Sequence, residues 1–384
     1  MPQLFNSISS DTFFSEYWQK KPLLIRQAFP NFTCPVTPDE LAGLACEPEV
    51  ESRLVYRQLN KKKWQLEQGP FNEDKFSHLP KADWSLLVQG VDHWIPELAD
   101  LLDCFRFLPN WQLDDIMASF SPPGGSVGPH FDEYDVFLLQ GLGERDWKIG
   151  QTCNHSEPCV KGTPLRILDT FEEVDSWVLQ PGDMLYLPAR VAHFGTAMTD
   201  GITLSIGFRA PSHEEILEDV SRHILDTMVE NKHLQMRSQS LQKHPGEIQP
   251  DVIAELGNII RQHLNDDNIT QWFGCFSTQP KNPEIVSAPE DEISTDDLLA
   301  LCDESEWLVW NEGSRFCYTT PNNDLMTLFV DGEAYALSKS QLSFVQRLSE
   351  KRRMAIDELA TFARHGDIDD LLAKLINTGS LYFE

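Results

Sequence analysis

Two histidines and one aspartate set the chemistry that this 384-residue sequence can support. In the stretch Ser119 to Asp135, SFSPPGGSVGPHFDEYD, His130 and Asp132 lie two residues apart. If a strand begins at His130, both side chains leave the same face and can reach one ion. A second imidazole comes from His193, the end of LQPGDMLYLPARVAH. There a Pro181-Gly182-Asp183 turn feeds a short apolar strand, Met184 to Leu187, and Pro188 breaks it just before the histidine. Two imidazoles and one carboxylate leave half a coordination sphere open, as in the facial triad of non-haem Fe(II) oxygenases. His130, Asp132 and His193 are therefore the candidate metal ligands.

An isolated His-x-Asp pair is a common surface feature, and the chain has another at His365-Gly366-Asp367, with His-x-Glu at His155 and His213. Context singles out His130: Gly124, Gly125 and Gly128 precede it, the apolar run Val136 to Leu139 follows, and the matched Pro-Gly-Asp strand lies downstream. His365 sits between helix-like segments and reads as a helix end.

The elements that must position these ligands are short strands, expected over 113–121, 130–140, 146–150, 165–169, 176–179, 184–187 and 202–209 and separated by Gly and Pro turns. That pattern predicts a double-sheet jelly roll, or cupin-like barrel, with room inside for a metal and one small ligand. In the first strand Asp115, Met117, Ser119 and Ser121 share one face and Ile116, Ala118 and Phe120 the other; Thr203 and Ser205 share a face of the last. Upstream, strands are expected at 23–26, 53–57 and 63–67, and short helices near 11–21 and 39–45. A longer helix over Trp84 to Leu101 follows from the spacing of Trp84, Leu87, Val88, Val91, Trp94 and Leu98.

An Fe(II) triad in a barrel needs a cosubstrate that chelates iron and supplies two electrons, the role of 2-oxoglutarate in oxygenases of this chemistry. The distal carboxylate of that molecule requires a cation. Arg145 is the nearest candidate after the iron motif, and its guanidinium can grip a carboxylate with two hydrogen bonds. The competing reading makes Glu144, Arg145 and Asp146 a charged hairpin turn. Ser119 or Thr203 offers a hydroxyl to the same carboxylate.

The stretches WQKKPLLIR (18–26), SFSPPGGSVGPHFDEYDVFLLQG (119–141), LQPGDMLYLPARVAHFG (179–195) and SIGFRAP (205–211) resemble the bacterial JmjC-type ribosomal oxygenases. The match is to the branch of arginine hydroxylases acting on large-subunit ribosomal protein sixteen, and it extends over essentially the whole chain. The resemblance implies Fe(II) on His130, Asp132 and His193, and 2-oxoglutarate on Arg145 with Ser119 and Thr203 nearby. It implies dioxygen as oxidant, succinate and carbon dioxide as coproducts, and a substrate arginine entering beside Asp115, Met117 and Tyr134, with Ser205 adding a hydrogen bond. Physical reasoning supports part of this: a carboxylate at Asp115 can pair bidentately with a guanidinium, and Tyr134 can stack on it. Against it, Asp114-Asp115 could be a strand-end charge or a helix cap. The alternatives are a non-catalytic cupin-like regulator and an oxygenase acting on histidine or methyl-lysine of another protein.

Asp and Glu outnumber Lys and Arg by 60 to 31, a formal net charge of −29. Phosphate backbones are repelled by such a surface, so direct nucleic-acid binding is not expected and a basic protein partner is. Eight cysteines are scattered, Met1 to Ser10 lacks a basic start and an apolar core, and no apolar run reaches about 18 residues. A cytoplasmic protein with reduced thiols and no membrane association is expected.

After Pro211 the period lengthens. Ser212 can cap a helix carrying Ile216, Leu217, Val220, Ile224, Leu225 and Met228, and a second stripe holds Val252, Leu256, Ile259 and Ile260. Such faces bury against a copy of themselves, which predicts a homodimer, or cap the barrel of their own chain. The expected organisation is a JmjC/cupin catalytic domain at 1–211, a helical dimerisation region at 212–277, a linker at 278–292 and a small winged-helix-like α+β domain at 293–384. In the last, Lys351-Arg352-Arg353 is the only basic cluster, which favours protein docking over DNA binding.

Overall fold

Alternation of polar and apolar side chains between Leu113 and Phe208 builds two facing sheets, not one closed barrel. The computed structural model describes residues 3–4, 8–58, 63–235, 243–320, 325–362 and 366–384. One compact unit comprises Met1–Ala210, Asn282–Gly313 and Glu350–Glu384, and a second comprises Pro211–Lys281 and Ser314–Ser349.

The first unit holds eleven strands that matter to the site: β1 (Leu23–Ile25), β2 (Ser52–Gln58), β3 (Lys63–Gln68), β4 (Trp84–Val88), β5 (Leu113–Ser121), β6 (Val136–Leu142), β7 (Arg145–Thr152), β8 (Asp175–Leu179), β9 (Met184–Leu187), β10 (Val191–Ala197) and β11 (Gly201–Phe208). The larger sheet has the order β1-β9-β6-β11-β5-β4-β2-β3, and the smaller one β8-β7-β10. Period two then decides what each face meets. Ile116, Ala118, Phe137, Leu139, Met184, Tyr186, Ile202, Leu204 and Ile206 face the main core. Val136, Leu138, Leu185 and Leu187 face the other way and pack on Trp147, Ile149, Leu179 and Val191 of the small sheet. Each Val, Leu, Ile, Phe or Met among them, fully buried, contributes roughly 1.5–3 kcal/mol. The double-stranded β-helix of the jelly-roll class is thus present as a two-sheet sandwich.

Three sequence expectations are corrected. Trp84 to Leu101 is not one helix: Trp84–Val88 is β4, buried throughout and paired with both β2 and β5. Gly90, at φ 61°, ends it, and only Pro96–Leu101 is α-helical. A strand covered on both faces shows no alternation, so its apolar run also satisfied a helical template. The strand expected from His130 begins only at Val136. The strand expected over 165–169 is reduced to an isolated bridge between Cys159 and Leu168.

The loop between β5 and β6 is anchored at its end. Asp135 accepts a 2.5 Å hydrogen bond from the fully buried Tyr186 hydroxyl, which itself accepts from the Gln19 amide at 2.8 Å.

In the second unit the helices His213–Thr227 and Pro250–His263 form where expected, the first behind a Ser212 capping box with Glu215, and Asp266–Thr278 adds a third that no stripe had placed. A three-stranded sheet, Phe316–Thr319, Leu325–Val330 and Glu333–Ser338, turns at Asp331-Gly332, both at positive φ. Within the first unit Trp307–Trp310 pairs with Arg353–Ala355 and Leu381–Phe383.

Leu86 is 1% exposed in the middle of β4 and Leu142 is 40% exposed at the end of β6. Leu86→Ala should cost about 2–5 kcal/mol in urea denaturation and Leu142→Ala no more than about 0.5 kcal/mol. Equal effects would contradict the burial of β4.

Candidate active site

His130 and His193 meet through their backbones. The His130 amide donates to the His193 carbonyl at 3.0 Å and the His193 amide to the His130 carbonyl at 2.8 Å, an isolated antiparallel bridge. This pair, not a continuous strand, sets the two rings 4.3 Å apart between centroids. Asp132 follows in the loop, its Oδ2 3.5 Å from His193 Nε2. The arginine at 190, held at φ 66°, donates its amide to the Asp132 carbonyl at 2.7 Å and its guanidinium to Glu133 at 2.8 Å. One ligand atom from each of His130, Asp132 and His193 lies within 4.8 Å of the others, a separation that one ion can bridge. His365 lies outside the described residues.

The tautomers fit a metal. Nδ1 of His130 donates to the Gly128 carbonyl at 2.9 Å and Nδ1 of His193 to the Val191 carbonyl at 3.0 Å. Carbonyls only accept, so each Nδ1 carries the proton and each Nε2 keeps its lone pair. Burial of His193, reinforced by the His130 ring, pulls its pKa down to about 4 and holds the imidazole in the neutral, ligating form.

Arg145 opens β7 on the inner face, only 3% exposed. Its Nη1 donates to Ser121 Oγ at 3.3 Å and its Nη2 to the Gly195 carbonyl at 3.5 Å, while Nε is buried with no partner. The Trp147 ring lies 5.1 Å from its Cζ. Burial lowers its pKa to about 10, so the charge persists at neutral pH. A buried cation with spare donors and no carboxylate among the described residues is suited to an anion arriving from outside. It is not the charged hairpin turn of the competing reading. Gly195 makes the arrangement possible, because a Cβ there would stand 2.6 Å from Arg145 Nε and 2.8 Å from Trp147.

The other expected residues divide. Ser119 and Thr203 are cross-strand partners, but the Thr203 hydroxyl donates to Gln140 at 2.9 Å and that of Ser119 to the Thr203 carbonyl at 3.5 Å. The hydroxyl touching Arg145 is Ser121, itself bonded to Ser85 at 2.7 Å. Asp115 is buried, and Gln89 Nε2 lies 2.9 and 3.0 Å from its two oxygens. Met117 receives Arg53 Nη2 at 3.7 Å, and Ser205 sits opposite Met117 in register. Tyr134 is 46% exposed, with its phenol pKa raised first by the Asp132 charge. Asp115, Met117, Ser119 and Ser121 do form one inner track, as period two requires. Gln140, Ser85, Gln89 and Trp147 were not anticipated. Of these only Gln140 left a signal, a lone amide inside the apolar run Val136 to Leu142.

Two family profiles match the chain, a JmjC domain over residues 100–216 and a ROXA-like winged helix over residues 259–382. The Escherichia coli ribosomal protein uL16 3-hydroxylase is 35% identical, over 97% of each chain. The X-ray structure of E. coli YcfD superposes with a TM-score of 0.88 at 33% identity, covering 98% of this chain and 99% of that one. The same ribosomal oxygenase in complex with cobalt and 2-oxoglutarate superposes with a TM-score of 0.85, covering 100% and 99%.

Removing a ligand should be felt beyond the about 10–100-fold that loss of an outer-shell partner costs a metal site. Asp132→Ala is expected to weaken Co(II) binding by more than that in calorimetric titration. Wild-type affinity in this variant would remove Asp132 from the centre.

Proposed function

The chain belongs to the family of JmjC ribosomal oxygenases, and on that premise we propose that it is an Fe(II)- and 2-oxoglutarate-dependent dioxygenase hydroxylating an arginine side chain of a large-subunit ribosomal protein. The observation that carries this reading is the convergence of an open two-histidine, one-carboxylate set and a buried, partly unpartnered guanidinium between the same two sheets. When bound, Fe(II) with 2-oxoglutarate and dioxygen supplies oxidative decarboxylation to succinate and carbon dioxide, coupled to placing one oxygen atom on a C–H carbon.

The protein's own part is placement. His130, Asp132 and His193 would hold the metal through Nε2, Oδ and Nε2, leaving the remaining positions open. Arg145, backed by Ser121, would hold the distal carboxylate, with Ser119 or Thr203 offering it a hydroxyl. Asp115, its carboxylate oriented by Gln89, would receive the substrate guanidinium, with Met117, Ser205 and Tyr134 lining the approach. Such fixing of a C–H bond is what an oxidising site contributes beyond its cofactors.

The basic partner suits the acidity of the chain, and the ribosome suits a cytoplasmic location. No helix among the described residues is long and apolar enough to cross a membrane. Arg352 and Arg353, the core of the basic cluster, pair with Asp100, Glu312 and Glu384, which leaves them little call on nucleic-acid phosphates. The segment 1–211 is the catalytic domain and 293–384 the winged-helix-like domain in this proposal, joined through the linker 278–292. The region 212–277 is a homodimer interface. Supporting the last point, Leu217, Leu225, Ile253 and Ile260 are 63%, 69%, 58% and 58% exposed in the single chain, and exposed apolar side chains grouped on helices mark interaction surfaces.

Incubation with the large-subunit protein, Fe(II), 2-oxoglutarate and dioxygen should add the mass of one oxygen atom to one arginine in tandem mass spectrometry. Asp115→Asn should lose about 10-fold or more in kcat/KM, as expected for a charge-assisted hydrogen bond. Modification of a histidine, or demethylation of a lysine, in place of arginine would move the chain to a different substrate. Ile253→Glu with Leu217→Glu should sediment as a monomer where the wild type sediments as a dimer. A monomeric wild type would end the interface proposal.

A further inference from the structure

Trp147 lies on the inner face of β7, between the level of His193 and that of Arg145. In the register with β10, Ile149 lies opposite His193, Trp147 opposite Gly195 and Arg145 opposite Ala197. From the His193 level to the Arg145 level the strands cover about 13 Å, at roughly 3.3 Å per residue. The indole bridges that span: its ring centroid is 5.8 Å from the His193 ring and 5.1 Å from the Arg145 Cζ.

The indole carries an unexplained polar atom. Trp147 is 5% exposed, and its Nε1 is buried with no hydrogen-bond partner. It belongs to an apolar cluster with Val136, Leu138, Leu185 and Leu187, none of which has a side-chain acceptor. Buried indole N–H groups ordinarily find a partner, because leaving a donor unmatched in an apolar interior is unfavourable. Arg145 Nε, two residues along on the same face, is orphaned as well. Two unmatched donors on alternate residues of one strand, flanking the bare backbone of Gly195, describe a strip waiting for an acceptor that the chain itself does not supply.

We propose that Trp147 is a cosubstrate-binding residue whose Nε1–H donates to an oxygen of 2-oxoglutarate, while the indole face holds the Arg145 guanidinium. This rests on the 2-oxoglutarate reading above. The bland alternative is an apolar wall that happens to strand its N–H, and the two differ in what deletion of the N–H does. As a wall, the indole could become a phenyl ring with little effect on binding. As a donor, it could not.

Trp147→Phe keeps an aromatic face and removes the N–H. The Mn(II)-loaded protein, titrated with 2-oxoglutarate in a calorimeter, should show affinity lowered about 10-fold or more, the loss expected for a hydrogen bond to a charged group. Mn(II) affinity itself should not change. The melting temperature without 2-oxoglutarate should hold or rise, since the orphan is gone, while the upward shift on adding 2-oxoglutarate shrinks. If the phenylalanine variant does not fold, benzothienylalanine at position 147, which keeps the indole shape with sulfur in place of N–H, gives the same comparison. Wild-type 2-oxoglutarate affinity in either variant overturns the proposal. Wild-type protein that binds Mn(II) but no 2-oxoglutarate overturns the cosubstrate reading itself, a result the variants cannot mimic.

Discussion

A full positive charge enclosed between two sheets is the constraint on which the rest of this site depends. Arg145 has no carboxylate beside it among the described residues, only a serine hydroxyl, a backbone carbonyl and an indole face. Burying a charge is costly unless it is paired. A chain selected for stability alone would place a glutamate there or an apolar residue instead. The sandwich tolerates the charge because Ser85 and Ser121 relay a polar contact from the wall, and because Gly195 leaves room for the guanidinium to lie flat. What the free protein forgoes in stability, an anionic ligand returns on binding.

The three parts of the site are held by different means. The proposed metal ligands are held by main chain: a two-bond bridge joins His130 to His193, and the carbonyls of Gly128 and Val191 hold the two imidazoles. The Arg145 end is held by side chains that reach across between sheets, and so depends on the packing of Val136, Leu138, Leu185 and Leu187 beneath it. At the end proposed for the substrate, Tyr134 is 46% exposed, while Asp115 is buried and fixed by an amide from the turn after β4.

The metal ligands were legible because His-x-Asp and a distant histidine came with turn chemistry that only a β-sandwich explains. Period two made the inner track of β5 legible too, since Asp115, Met117, Ser119 and Ser121 alternate with apolar partners. Failure came where alternation was lost. The strand Trp84–Val88 is buried on both faces and imitates a helix, and with it went the chance to foresee Ser85 behind Ser121 or Gln89 beside Asp115. That Ser121 is the hydroxyl touching Arg145, two residues along the same face from Ser119 and about 7 Å away, is a matter of register between strands that the sequence does not carry. The unpartnered N–H of Trp147 left no trace, because a buried tryptophan is by default core and whether its N–H finds an acceptor is a property of neighbours from other strands.

The acceptors that fix both imidazoles are the backbone oxygens of Gly128 and Val191, and this shifts where the site is open to evolutionary drift. No exchange of a side chain can delete a carbonyl, so the tautomers survive any substitution that preserves the path of the chain. Vulnerability moves from the chemical identity of neighbouring residues to conformation at single points. Gly128 is the sharpest of these: it holds φ 86°, and a Cβ there would press within 3.1 Å of both Ile167 and Trp64. A lineage could repaint the walls of this cavity for a new substrate while the metal-binding loop stayed as it is, provided that one hydrogen atom at position 128 never grew into a methyl group.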